Sequence, residues 1–105
     1  MQYVLRYRIA SDKAGALREW LRKSRADIEA HVPAGWRYAG SYFVVRGFGD
    51  YDCEMRYDLD DYAAMDSENP PRFNEIVREW QQFVNDATPT KAVLLKSADE
   101  VIIVG

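Results

Sequence analysis

Between residues 2 and 9 the side chains alternate. Tyr3, Leu5, Tyr7 and Ile9 fall on one side, and Gln2, Val4, Arg6 and Arg8 on the other. A period of two predicts a half-buried strand. The period then lengthens. Ala14, Leu17, Leu21, Ser24 and Ile28 recur at helical spacing with Trp20 beside them, opposite Arg18, Glu19, Arg22, Lys23 and Asp27. This predicts an amphipathic helix, capped by Ser11 with Asp12 in its first turn and ending near His31, before Pro33 and Gly35.

Residues 36–46, WRYAGSYFVVR, are rich in aromatic and β-branched side chains and predict a long strand. Gly40 within it marks a bulge or a close backbone approach. A turn at Gly47–Asp50 leads into a second alternating run, Tyr51–Leu59. Asp60 or Asp61 can cap a short helical turn through Tyr62, Ala63, Ala64 and Met65. Asn69, Pro70 and Pro71 then open the strongest helical stripe in the chain: Phe73, Ile76, Val77, Trp80, Phe83 and Val84, stopped by Thr88 and Pro89. Lys91–Lys96 predicts a strand, and Val101–Val104 a short terminal one after a turn at Ser97–Glu100.

The order strand, helix, strand, strand, helix, strand predicts an α+β domain of the ferredoxin-like, split βαβ kind. It has an antiparallel four-stranded sheet, two helices on one face and a short C-terminal strand. At 105 residues it is a single domain, 1–105.

Two helices cover one face of such a sheet. Leu5, Tyr7 and Ile9 should meet them, with Cys53, Met55 and Tyr57 from the third strand. The uncovered face then carries Arg6 and Arg8, with Asp52, Glu54, Arg56 and Asp58 on the neighbouring strand. On the second strand either Trp36, Tyr38, Tyr42 and Val44 or Ala39, Phe43 and Val45 must share that face. Rings left in water form an unusual apolar patch, and a second copy of the chain is the simplest cover. A homodimer through the uncovered face is therefore expected.

Composition narrows the function classes. Hydrophobic residues make up 48%, charged ones 30% and aromatic ones 13%, a globular balance with more rings than a small core needs. Some of those rings should line a cavity or an interface. A net charge of −3 with interspersed signs supplies no basic footprint for nucleic acid. No apolar stretch reaches the roughly 20 residues of a membrane span. The N-terminal residues alternate instead of forming a signal-peptide block, so a soluble, cytoplasmic protein is expected. The single cysteine, Cys53, excludes a disulfide framework.

The stretch RGFGDYDCEMRYDL, Arg46–Leu59, carries most of the candidate chemistry. Its glycines lead into a strand, whereas a phosphate loop opens into a helix and carries a following Lys and Ser or Thr. Asp50, Asp52, Glu54 and Asp58 offer oxygen ligands, but Met55 occupies the place where a calcium loop needs glycine. Ion pairing with Arg6 and Arg8 is the simpler role for these acids. His31 is a candidate general base, at a helix end where a histidine complements the dipole. No cofactor or metal is expected.

The element order, the long second strand, the interrupted second helix and the run from Gly49 to Asp66 (G-x-Y-D, an alternating strand, then D-D-Y-A-A-M-D) resemble the dimeric α/β-barrel superfamily. It includes antibiotic-biosynthesis-type monooxygenases, EthD-like proteins, NIPSNAP-like proteins and the ligand-binding domains of leucine-responsive regulators. The resemblance implies two sheets closed face to face around a pocket, with the terminal strand reaching onto the partner. Neither the histidine motif of EthD-like proteins nor the Asn, Trp and His set of the monooxygenases can be placed on this chain, so no catalytic residue carries over. The resulting expectation is a homodimeric barrel that binds a small anionic or aromatic molecule on a floor of Arg6, Arg8, Tyr42, Glu54 and Arg56. Two other readings stay open: a cofactor-independent enzyme acting on an aromatic or polyketide-like molecule with His31 or a tyrosine as base, and a structural or regulatory interaction module.

Overall fold

The computed structural model describes residues 1–47 and 49–101. The elements run β1 (Gln2–Tyr7), α1 (Ala14–Ala30), β2 (Trp36–Phe43), β3 (Cys53–Leu59), a 3-10 turn (Tyr62–Asp66), α2 (Pro71–Gln81) and β4 (Lys91–Leu95). The strands form one antiparallel sheet in the order β2-β3-β1-β4. This is the ferredoxin-like arrangement expected from the sequence, with α1 and α2 on one face. The expected terminal strand, Val101–Val104, lies almost wholly outside the described residues.

One core sits between sheet and helices. Tyr7, Leu17, Ile28 and Cys53 are fully buried there, with Met55, Tyr57, Leu59, Phe73, Ile76 and Trp80 around them. Burying a large apolar side chain contributes about 1.5–3 kcal/mol, so these positions dominate the fold's stability. Edge-to-face ring pairs stitch the layers: Tyr7 on Trp80 with centroids 4.9 Å apart, and Tyr57 between Trp36 and Phe73. The alternation read along β1 and β3 holds, because Tyr3, Leu5, Tyr7, Cys53, Met55 and Tyr57 all belong to this core. Their sequence neighbours Arg6, Glu54 and Arg56 point the other way.

Helix α1 begins later than expected, and Ser11 is not its cap. The Lys13 amide bonds the Ala10 carbonyl in a tight turn, with Asp12 at φ 61°, and that turn takes up Ser11 and Asp12. Lys13 is the cap residue, and it makes no side-chain capping bond. By contrast, Asp61 does cap the 3-10 turn, its Oδ1 accepting from the Ala64 amide at 3.0 Å.

Helix α2 starts at the proline pair but stops at Gln81, so Phe83 and Val84 lie beyond it. There the chain leaves the helix to pair with the continuation of β1. The Ala10 amide bonds the Phe83 carbonyl, the Asn85 amide bonds the Arg8 carbonyl, and Ile9 bridges Val84. Sheet-type bonds to a neighbouring segment outweigh one further helical turn.

Strand β2 contains the bulge that Gly40 suggested. Tyr38 stands opposite Tyr57, Gly40 opposite Arg56, and Ala39 is the extra residue. Two residues against one reverse the alternation. Trp36 and Tyr38 therefore face the helices while Tyr42 faces away, and neither expected set lies intact on one side. Val44 and Val45 fall outside the strand, although the Val44 amide still bonds the Asp52 carbonyl.

Candidate functional site

The uncovered face gathers four of the five expected floor residues. The register aligns Arg6, Glu54 and Tyr42 across three strands, and Val4, Arg56 and Gly40 in the next row. Glu54 accepts from Arg6 Nε at 3.1 Å through one carboxylate oxygen, and from Arg56 Nε and Nη2 at 3.1 and 2.8 Å through the other. The bonds from Arg56 hold the Glu54 carboxyl below the usual carboxylate range, and Arg6 adds to the effect. Gly40 has no side chain, so the Tyr42 ring lies over it, its hydroxyl donating to the Ala39 carbonyl. Arg56 then stacks on that ring, 4.7 Å from its centroid.

Arg8, the fifth residue, is exposed past the end of β1 and makes no ion pair among the described residues. The cluster is thus one carboxylate shared by two arginines. Both cations already bond Glu54, whose negative charge offsets part of what they would offer an incoming anion.

A cavity walled mostly by apolar side chains lies on the other side of the sheet. It measures about 380 Å³ and opens between the helix-facing side chains of β1 and β3 and the helix α2. Tyr3, Trp36, Tyr57, Phe73 and Trp80 supply rings, Leu5, Met55, Ile76 and Val77 aliphatic walls, and Met65, Asn69 and Thr90 the rim from the connecting segments. Its size falls within the range of small-molecule pockets, about 300–1,000 Å³. The described lining holds no carboxylate, imidazole, thiol or cation. Burial pushes the Tyr3 and Tyr57 phenols up, so at neutral pH both are hydrogen-bond donors rather than bases.

Sequence reasoning missed this cavity as a place. The signal was the surplus of aromatic residues, which implied a lined space without saying where. Tyr57 comes from a strand face that the alternation turns toward the helices, Trp36 from a strand whose two faces the alternation leaves open, and Phe73, Ile76 and Trp80 from the apolar stripe of a helix.

His31 closes α1 as its C-cap, on the helix side of the sheet and away from the Arg6–Glu54–Arg56 cluster. Its Nδ1 lies 2.9 Å from Asp27 Oδ1, and Asp27 in turn receives Arg72 from α2. The arrangement ties the two helices together. Cys53 is fully buried, its thiol donating to the Tyr7 hydroxyl at 3.0 Å and pushed up by burial. Both features make it unreactive in the folded chain. No described helix is long and apolar enough to cross a membrane.

No protein-family model matches the chain, and no curated protein matches it. Among solved structures, the chain is similar to an uncharacterized NIPSNAP domain protein from Burkholderia xenovorans. The match has a TM-score of 0.60 over 93% of this chain and 96% of that one, at 16% identity. At that identity the likeness is one of fold: this chain shares the ferredoxin-like α+β architecture of a NIPSNAP domain.

Proposed function

We propose that the protein binds a small, largely apolar molecule with a flat aromatic part in the cavity between sheet and α2, and that it works as a homodimer closed across the uncovered face. The observation carrying the first half is the lining itself: five aromatic side chains around about 380 Å³, with neutral polar groups at the rim. Such walls favour an aromatic occupant and disfavour an anionic one, because no cation in the described lining compensates a charge taken out of water. The absence of a titratable base from the described lining favours binding over proton abstraction.

The second half rests on the uncovered face. Tyr42 is 48% exposed and Leu95 43%, beside a field that mixes Arg6, Arg56 and Lys91 with Glu54 and Asp58. Apolar groups among balanced charges of both signs suit a self-complementary, two-fold contact. In this reading Arg6, Glu54 and Arg56 belong to the interface.

Titration with 1-naphthol, followed through tryptophan fluorescence, tests the cavity. Saturable quenching is expected, lost in Val77→Phe, which fills the space from α2 while leaving the circular dichroism spectrum unchanged. An unaltered affinity in a folded Val77→Phe protein would show the ligand sits elsewhere and overturn the assignment.

A further inference from the structure

A second hollow carries chemistry that neither the cavity nor the uncovered face uses. It lies between α1 and the free edge strand β2, with a volume of about 230 Å³. Arg18, Arg22 and Arg25 line one wall together with Leu21, and Tyr38, Ser41 and Phe43 line the other. The three arginines are spaced i, i+4 and i+7, one stripe along one side of the helix. Like charges at that spacing weaken a helix by a few tenths of a kcal/mol per pair, so local stability does not account for the stripe.

The surrounding acids only partly answer these charges. Glu19 meets Arg22 at 3.5 Å and also Lys23 at 3.7 Å, and Glu29 meets Arg25 at 2.9 Å. Arg18 has no carboxylate partner among the described residues. On the opposite wall the Tyr38 and Ser41 hydroxyls bond each other, and the Phe43 ring is 38% exposed on the helix-facing side of β2. A guanidinium fork set across from hydroxyls and an uncovered ring suits one kind of molecule: an oxyanion joined to an aromatic body.

We infer that the α1–β2 groove binds an aryl oxyanion. Arg18 and Arg22 hold the charged oxygens, and the ring packs on Phe43 and Leu21. The site is separate from the cavity beneath α2, and its success or failure is independent of that cavity's occupant.

Phenyl phosphate is the probe, titrated into isotopically labelled protein and followed by amide shifts. The expected result is saturable perturbation at residues 18–25 and 38–43, with residues 73–77 unmoved. Arg18→Gln combined with Arg22→Gln should weaken binding by about tenfold or more, the scale of losing one charged hydrogen bond. Both side chains are exposed, and the amide spectrum of the double variant verifies that the fold survives. Phe43→Ala should weaken phenyl phosphate while leaving inorganic phosphate unchanged. Linear, non-saturating shifts would overturn the inference, as would equal affinity in the folded double variant. Equal binding of neutral benzyl alcohol removes the role of charge, equal binding of inorganic phosphate removes that of the ring, and shifts centred on residues 73–77 reassign the ligand to the cavity.

Discussion

The Arg56 guanidinium lies 4.7 Å from the centroid of the Tyr42 ring, and the contact exists because the bulge at Ala39 turns Tyr42 to the uncovered face. Without the extra residue, Tyr42 would share a side with Trp36 and Tyr38 in the core. Ala39, not Gly40, would then stand opposite Arg56, and no ring would lie beneath the guanidinium. One inserted residue thus decides both the filling of the core and the make-up of the opposite surface.

Gly40 makes that geometry possible. Its φ is +114°, a region that residues with a Cβ rarely adopt, whereas an added Cβ would meet Tyr42 atoms only at ordinary contact distances of 3.5–3.6 Å. Gly40→Ala is therefore expected to destabilise through backbone strain, by about 1–3 kcal/mol in urea unfolding. Gly15 is the control: it lies in α1, where an added Cβ would meet nothing within 4 Å, and Gly15→Ala should stabilise by about 0.5 kcal/mol. Equal and small effects at the two sites would contradict the strain argument.

Asp27 links α1 to α2, accepting from Arg72 Nε at 3.0 Å. The Arg72 hydrogen bond holds the Asp27 carboxyl below its ordinary range, with His31 adding to the effect. A carboxylate lowered on folding contributes stability that is complete above its unfolded value, about 3.9, and is lost as pH falls through the folded value. Asp27→Asn should therefore be less stable than the parent near neutral pH, and the two should converge in acid. Thermal melts between about pH 2.5 and about pH 7 check this, and a constant difference across that range refutes the linkage. Glu54, lowered by Arg56, should leave part of the acid limb in place.

Cys53 should report global opening. It is fully buried and its thiol is pushed up, so modification by a disulfide reagent requires exposure of the core. The labelling rate in native buffer is expected to rise with urea along with the unfolded population. Rapid, urea-independent labelling would mean that β3 opens locally.

Reversing the charge of the arginine pair tests the dimer. With Arg6→Glu and Arg56→Glu, three acids crowd around position 54 on the uncovered face, and two such faces repel. Sedimentation should give about twice the 12.2 kDa chain mass for the parent and a single chain for the double variant. A parent that sediments as a single chain would end the dimer proposal.

Much of this was legible in the chain. The change from period two to period 3.6 and back marked six elements, because side-chain direction follows backbone geometry residue by residue. The faces of β1 and β3 followed for the same reason. The proline start of α2 followed from local backbone chemistry, which also narrowed the 3-10 cap to Asp60 or Asp61, and the structure uses Asp61. Ser11 misled because capping depends on where the chain turns, and the turn at Ala10–Lys13 comes first. Phe83 and Val84 misled because a helical stripe does not reveal that Ile9 and Arg8 wait as partners.

The sequence by itself determined the split βαβ order, the inward face of β1 and β3, and the surplus of rings. These depend on local periodicity and composition alone. Only the tertiary structure decided the rest: that the bulge at Ala39 sends Trp36 and Tyr42 to opposite sides, that the rings enclose a cavity under α2, and that Arg6 and Arg56 pair with Glu54 while Arg18 has no carboxylate partner among the described residues. Each of these outcomes depends on the register between distant strands or on the distance between side chains far apart in the chain, and no local pattern encodes either.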